Sequence, residues 1–183
     1  MNRLWLCAVC VCSVACHLED DKRPAQAQPA VAQVQEPKPV KATLVVMVEP
    51  DASRWAGVLF EIENGWHIYG KVSGDSGLPT RVSWRLPEGV SASEVHYPPS
   101  KRFTDTGDIV TYGYSDEVLL LSEISLEKAA SLPVQLGAEA KWLACQASQC
   151  IPGEAKLSQD LPAQPTQDAK ITALFQRYKP TTP

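Results

Sequence analysis

The amino-acid sequence predicts an all-β fold, an antiparallel β-sandwich, over residues 42–162. Seven to nine short runs of strand-forming residues are separated there by turn residues, and little helix is expected among them. Thr80, Val82, Trp84 and Leu86 alternate with polar residues, which is the period of two expected for a half-buried strand. The predicted strands cover residues 42–48, 55–63, 66–69, 80–86, 90–97, 109–114, 117–124, 134–145 and, last, 155–161.

Turn residues and alternation place these strands relative to one another. Asn64-Gly65 is typical of a tight hairpin turn, so the strands on either side of it should pair. The segment 70–79 contains Gly-Asp-Ser-Gly and is expected to lack regular structure. In the strand 134–145, one face collects the apolar residues and should be buried: Val134, Leu136, Ala138, Ala140 and Trp142.

The C-terminal segment, residues 163–183, has a different pattern. Thr166 follows Pro165 and is a suitable N-cap for a short helix. Apolar residues then recur at the spacing of one helical face, at Ile171, Leu174, Phe175 and Tyr178. We expect a short amphipathic helix that packs on the sandwich, or else on a partner.

The first sixteen residues are predicted to be a signal peptide. Arg3 supplies a positive start, and the apolar run 4–15 is too short to cross a membrane as a helix but suits a signal peptide. The run ends in Ser13-Val14-Ala15-Cys16, which resembles the lipobox of bacterial lipoproteins, although Ser13 stands where leucine is usual. Cys16 is therefore expected to be lipidated and to anchor the protein to a membrane. Ordinary secretion after Ala15 is the alternative.

Residues 17–41 are predicted to be a disordered tether between this signal and the sandwich. They are rich in Pro, Gln and Ala and have few large apolar side chains to repay the entropy of ordering. The whole chain has a net charge of -4 and a pI near 5.4, which argues against a nucleic-acid partner.

Cys145 and Cys150 are the only cysteines beyond residue 16, and they concentrate the chemistry of the chain. Residues five apart do not share a face of a helix, whereas on a hairpin they can lie opposite each other with Cα atoms about 4.5–5.5 Å apart. A disulfide can form at that separation. The loop it closes is short, so the bridge would add only about 2 kcal/mol of stability.

Three interpretations of this pair remain open from the spacing. It can be a structural disulfide, a dithiol that cycles between oxidised and reduced forms, or two ligands of a metal ion. Zinc requires four ligands, and the chain has only three histidines and no second cysteine pair. We therefore predict no metal site and no cofactor.

Several runs of the sequence, in order, resemble a known family. Together they are similar to the N-terminal periplasmic domain of DsbD-type protein-disulfide reductases, particularly the form in the suppressor-of-copper-sensitivity membrane proteins. The resemblance covers residues 42–162. The runs that carry it are Gly65-Trp66-His67-Ile68-Tyr69, Gly74-Asp75-Ser76-Gly77-Leu78-Pro79-Thr80, Tyr97-Pro98-Pro99, Arg102-Phe103, Thr111-Tyr112-Gly113-Tyr114, Trp142-Leu143-Ala144-Cys145 and Cys150-Ile151-Pro152-Gly153.

This resemblance implies an immunoglobulin-like sandwich that carries out thiol-disulfide exchange in the periplasm. The domain would take electrons from a separately encoded membrane-embedded donor and pass them to thioredoxin-fold proteins, in cytochrome c biogenesis or copper tolerance. The alternatives are a non-enzymatic interaction domain with a structural disulfide and a copper-tolerance protein that binds Cu(I) through both thiolates. The copper-binding alternative is disfavoured because Met47 is the only methionine after the predicted signal peptide, and the soft thioether ligands that Cu(I) prefers are therefore scarce.

The resemblance also implies roles for individual residues. Cys145 and Cys150 would be the catalytic pair, with Cys145 the more buried of the two. A cap over the pair would be formed by residues 108–114. Aromatic residues of the cap and of the site lining would be Tyr112 as the shield, together with Tyr69, Tyr114, Trp66 and His67.

Overall fold

The computed structural model describes residues 38–105, 107–127 and 131–180. The predicted signal peptide, Cys16 and the tether up to residue 37 lie outside the described residues. The described chain contains ten strands and one helix. They are β1 (Val40–Val48), β2 (Arg54–Ile62), β3 (His67–Gly74), β4 (Arg81–Arg85), β5 (Val90–Ala92), β6 (Lys101–Asp105), β7 (Ile109–Tyr114), β8 (Glu117–Leu126), β9 (Val134–Gln146), β10 (Gln149–Leu161) and α1 (Ala169–Tyr178).

The strands form two antiparallel sheets packed face to face. The four-stranded sheet has the order β1-β2-β8-β5. The six-stranded sheet has the order β10-β9-β3-β7-β6, and β4 pairs with β9 beside β3. This confirms the predicted all-β, immunoglobulin-like sandwich with a short C-terminal helix.

The core lies between the two sheets because each sheet contributes one face of alternating apolar residues. Val58, Phe60 and Leu120 of the four-stranded sheet are fully buried there, with Ile68 of the other sheet. On β9, the predicted core face is confirmed, with Leu136, Ala138 and Ala140 all buried.

Four elements differ most from the sequence prediction. β3 continues through Gly74 instead of ending at Tyr69, so half of the expected loop 70–79 is strand. The predicted strand 90–97 is reduced to β5, beyond which His96 makes only an isolated bridge to Leu121. The last strand begins at Gln149, not at residue 155. β6 was not predicted, because its polar sequence becomes a strand only through pairing with β7.

The helix α1 begins two residues later than the sequence indicated. Its N-cap is Asp168, whose carboxylate accepts hydrogen bonds from the backbone N–H groups of Lys170 and Ile171. Thr166, the predicted cap, instead pairs with Val48. The backbone N–H of Val48 donates to the Thr166 hydroxyl at 3.0 Å, and the Thr166 N–H donates to the Val48 carbonyl at 2.8 Å. Thr166 therefore joins the tail to β1.

Helix α1 packs on the outer face of the four-stranded sheet, as the amphipathic pattern predicted. Phe175 is fully buried and contacts the cluster that contains Met47, Leu119 and Leu121. These three residues alternate along β1 and β8 with residues that face the core. The helix thus covers a second apolar layer. In the part of the chain that the structure describes, no helix is long and apolar enough to span a membrane.

Replacing Phe175 with Ala should lower the free energy of unfolding by about 3–5 kcal/mol, because a large buried aromatic side chain is lost and leaves a cavity. Denaturant unfolding monitored by fluorescence measures this change. Gln176→Ala, one position along and exposed, is the matched control and should change stability by less than about 0.5 kcal/mol. Equal effects of the two substitutions would contradict the packing role of α1.

Candidate functional site

The two cysteines lie opposite each other on the hairpin formed by β9 and β10. A two-residue turn, Ala147-Ser148, joins these strands, and Gln146 pairs with Gln149 at its base. Cys145 and Cys150 form the next pair and are joined by a disulfide, with Cα atoms 4.1 Å apart. The cross-strand bridge that the spacing allowed is therefore present.

The register of this hairpin is continuous over thirteen residue pairs, from the turn to Val134 and Leu161. Close to the cysteines, Gly153 lies opposite Trp142, and a Cβ added at Gly153 would fall 2.3 Å from the indole ring. Only glycine allows Trp142 to lie there, where its ring meets Phe60 edge to face at 5.4 Å. The Pro-Gly pair after Cys150 thus belongs to the packing of the hairpin on the core.

The two sulfur-bearing residues have very different surroundings. Cys145 is only 2% exposed, whereas Cys150 is exposed. This agrees with the difference that the family resemblance implied. An incoming thiolate can reach Cys150 from solvent, and Cys145 is shielded by the protein.

Cys145 is contacted by two residues of the neighbouring strand β3. His67 is its direct partner in the strand register. Two residues further on, Tyr69 reaches across, and its hydroxyl donates a hydrogen bond to Cys145 Sγ at 3.2 Å. Tyr69 is 3% exposed, so this hydrogen bond is made out of contact with bulk water. The structure thus places two of the expected lining residues, Tyr69 and His67, beside the pair.

The ring of Tyr69 is covered by the segment that follows β3. Gly77 lies directly over it, and a Cβ at this position would fall 2.2 Å from a ring carbon. Gly77 also has a φ of +88°, which side-chain-bearing residues rarely adopt. At the start of the same segment, Asp75 is tied to β7. Its backbone N–H donates to the Val110 carbonyl, and its carboxylate accepts from the Val110 N–H, both at 2.9 Å. The Gly-Asp-Ser-Gly motif therefore holds Tyr69 in place.

Phe103 of β6 is an aromatic neighbour that the sequence analysis did not assign to the site. Its ring stacks on His67 with centroids 4.5 Å apart and an interplanar angle of 16°. His67 in turn meets Tyr69 edge to face at 5.3 Å. The sequence did offer a signal for this residue. Phe103 is a single apolar residue among polar neighbours, and it belongs to one of the motifs that carry the family resemblance.

The other aromatic residues expected at the site lie elsewhere. Tyr114 pairs with Ile68 and is buried in the core with Trp66, on the opposite face of the sheet from Tyr69. The Tyr114 hydroxyl donates to the Pro98 carbonyl at 2.8 Å, and burial raises the pKa of this phenol. Tyr112 alternates with Gly113, the register partner of Tyr69, and is therefore directed to the same face as Tyr114, with 39% of it exposed.

Charged residues near the pair in sequence are arranged along the hairpin. Lys141 lies opposite Glu154, and Lys156 lies opposite Glu139. Both pairs are at least four residue pairs along the hairpin from the disulfide. Among the described residues, no group of three or more His, Cys, Asp or Glu side chains could hold a metal ion. Burial and the hydrogen bond from Tyr69 therefore dominate the environment of Cys145.

Comparisons with known proteins identify the family to which this domain belongs. A family model described as the N-terminal part of the thiol:disulfide interchange protein DsbD matches residues 32–162. Among curated protein sequences, none is significantly similar to the chain. The N-terminal periplasmic domain of ScsB from Proteus mirabilis is 21% identical, with a TM-score of 0.52 over 78% of this chain and 54% of that one. The chain thus spans about half of that ScsB domain.

A second solved structure is the N-terminal domain of Neisseria meningitidis DsbD in its reduced form. It is 13% identical over 67% of this chain and 90% of that chain, with a TM-score of 0.34. The fold is shared with the ScsB domain, and the family model extends over well over half of the 183 residues. This chain belongs to the family of DsbD N-terminal domains, the thiol:disulfide interchange family.

Proposed function

We propose that this domain carries out thiol-disulfide exchange through Cys145 and Cys150 with thioredoxin-fold partners in the periplasm. The observation that carries the proposal is the asymmetry of the bridge. One sulfur is exposed on a strand, and the other is buried and hydrogen-bonded to Tyr69. Family membership supports the same chemistry.

The exchange reaction follows from this asymmetry. In the reduced domain, the Cys150 thiolate attacks a partner disulfide, forming a mixed disulfide and releasing one partner thiolate. Cys145 then attacks Cys150 Sγ, which closes the intramolecular bridge and releases the second partner thiolate. Two electrons pass to the partner. In the opposite direction, a donor thiolate attacks Cys150 Sγ and Cys145 leaves as the thiolate.

Tyr69 is suited to assist both directions at Cys145. A phenol that donates a hydrogen bond to sulfur stabilises the thiolate more than the disulfide, because hydrogen bonds to charged groups are the stronger ones. The thiolate that leaves, or that waits to attack, is thereby favoured inside a buried site. Phe103 and His67 pack beside this group on the outer face of the sheet and exclude water from it.

A structural role for the disulfide is less well supported. The bridge joins strands that are already paired over thirteen positions, so it constrains the folded hairpin little further. The short loop that it closes limits the gain in stability to about 2 kcal/mol. A disulfide at this place contributes more through reactivity than through stability.

The domain would act at a membrane surface. Cys16 is the proposed lipid anchor, residues 17–41 the tether, and a membrane-embedded protein the electron donor, with cytochrome c biogenesis or copper tolerance as the processes served. These assignments are supported by the lipobox-like sequence and by the family to which the chain belongs.

Single cysteine variants should separate the roles of the two sulfurs. Cys145→Ser leaves the exposed Cys150 and should accumulate a mixed disulfide with a thioredoxin-fold protein. Cys150→Ser leaves only the buried sulfur and should accumulate little. Non-reducing electrophoresis and intact mass spectrometry measure the adducts. The double variant is the control, and equal trapping by the two single variants would contradict the assignment of Cys150 as the reactive sulfur.

Tyr69→Phe should slow reduction of the disulfide by dithiothreitol about tenfold at constant pH, because the departing Cys145 thiolate loses a hydrogen bond worth about 1.5 kcal/mol or more. Stopped-flow or quenched-flow kinetics give the rate. Tyr178→Phe removes a hydroxyl that donates to the Glu117 carbonyl, far from the cysteines in sequence and fold, and should leave the rate unchanged. An unchanged rate in Tyr69→Phe would exclude the proposed role.

The reduction potential of the Cys145–Cys150 pair should lie between about -120 and -270 mV, the range of proteins that exchange disulfides. Equilibration of residues 38–183 against glutathione or thioredoxin buffers measures it. A potential below about -300 mV would identify a structural bridge instead.

A further inference from the structure

The strand that carries Cys150 is the outermost strand of its sheet. Among the described strands, β10 pairs only with β9, and no strand is hydrogen-bonded to its other edge. Six of the first ten residues of β10 are exposed, including Gln149, Cys150 and Pro152. An edge strand presents unpaired backbone N–H and C=O groups to any chain that approaches.

The geometry of the hairpin determines which of these groups face outward. In an antiparallel pair, residues alternate between positions that bond to the partner strand and positions that do not. Gln146 and Gln149 flank a two-residue turn, so they form a bonded pair. Cys145 and Cys150, the next pair, are consequently not hydrogen-bonded to each other. The N–H and C=O groups of Cys150 therefore point away from β9, toward the open edge.

Two further observations support this assignment. The Cα atoms of Cys145 and Cys150 are 4.1 Å apart, which matches the short separation of a non-bonded pair and not the longer one of a bonded pair. Pro152 lies two residues beyond Cys150 and so shares its orientation. Proline has no N–H and is tolerated on edge strands where that position faces solvent.

We propose that the exchange partner adds a short extended segment to the edge of β10 and hydrogen-bonds to the backbone of Cys150 while the sulfurs react. This inference rests on the proposed function and specifies how the partner is recognised. The partner it fits is a thiol-disulfide protein that presents exposed extended backbone beside its reactive cysteine. Recognition through main-chain groups places few demands on the partner's sequence.

The distances suit the chemistry. A strand added at this edge lies about 4.7–4.9 Å from β10, and a disulfide spans Cα atoms about 4.4–6.8 Å apart. Backbone pairing at Cys150 therefore holds a neighbouring partner sulfur within reach of Cys150 Sγ. The new S–S bond forms there as the bond to Cys145 breaks, and the electron pair leaves on Cys145, beside the Tyr69 hydroxyl.

The residues after Cys150 keep this added strand short. Pro152 offers a carbonyl but no donor, and the next two outward positions carry the charged side chains of Glu154 and Lys156. Proline and charges on an edge strand prevent long pairing with other chains, including a second copy of the same protein. Cys150 is thus the position on this edge where both backbone groups are offered next to the reactive sulfur.

The test compares two adducts of the Cys145→Ser variant by NMR. One is the mixed disulfide of Cys150 with a thioredoxin that retains only its attacking cysteine. The other carries a methylthio group on Cys150 and has no partner chain. Hydrogen exchange of the Cys150 amide should be at least about tenfold slower in the thioredoxin adduct, because an exposed amide becomes hydrogen-bonded. A through-hydrogen-bond coupling should connect the Cys150 nitrogen to a thioredoxin carbonyl.

Ser158 provides the internal control, since its amide also faces the outer edge of β10 but lies far from the sulfur. Its exchange rate should be the same in both adducts. Equal exchange of the Cys150 amide in the two adducts would overturn the proposal, and so would slow exchange without the coupling, since burial alone would explain it. Failure of the thioredoxin adduct to form would instead count against the proposed function itself.

Discussion

The pairing of β9 with β10 is the constraint on which the site depends. Its register brings Cys145 opposite Cys150, and the alternation of a strand pair then directs both sulfurs to the outer face of the sheet. The same register places Pro152 at a position whose backbone nitrogen faces away from β9, so no strand hydrogen bond is lost. It also places Gly153 opposite Trp142, where the absence of a side chain leaves room for the indole ring. A shift of β10 by one residue would separate the sulfurs and turn the side chains of β10 to the opposite face of the sheet.

The two sulfurs differ because only one strand of the pair has a further neighbour. β9 lies inside the sheet, so Cys145 is flanked by β3 and receives the hydroxyl of Tyr69. β10 lies at the edge, so Cys150 has solvent on one side. The position of each strand in the sheet thereby gives the two sulfurs different surroundings, one buried and hydrogen-bonded and the other exposed.

The two outer faces of the sandwich serve different purposes. On the four-stranded sheet, α1 covers the apolar residues around Phe175, and the tail is tied down by Thr166 at one end and by the pairing of Arg177 with Glu117 near the other. On the six-stranded sheet, the segment after β3 covers Tyr69 and the strand β6 covers His67, the two residues beside Cys145. The helix lies beyond residue 162, where the family match ends, and stabilises the face that carries no cysteine.

Most of the sandwich and the cross-strand cysteine pair could be predicted from local patterns, because alternation, turn residues and the spacing of Cys145 and Cys150 are properties of short segments. The choice of neighbours could not. Phe103 reaches His67 only because β6 pairs with β7, and Tyr112 faces away from the sulfurs because Gly113, not Tyr112, is the partner of Tyr69. Asp168 caps the helix in place of Thr166, because the Thr166 hydroxyl accepts a hydrogen bond from the backbone N–H of Val48 in β1. The sequence by itself therefore determined the strands and the reactive pair, whereas long-range pairing decided which side chains surround that pair, since register sets the face on which each residue lies.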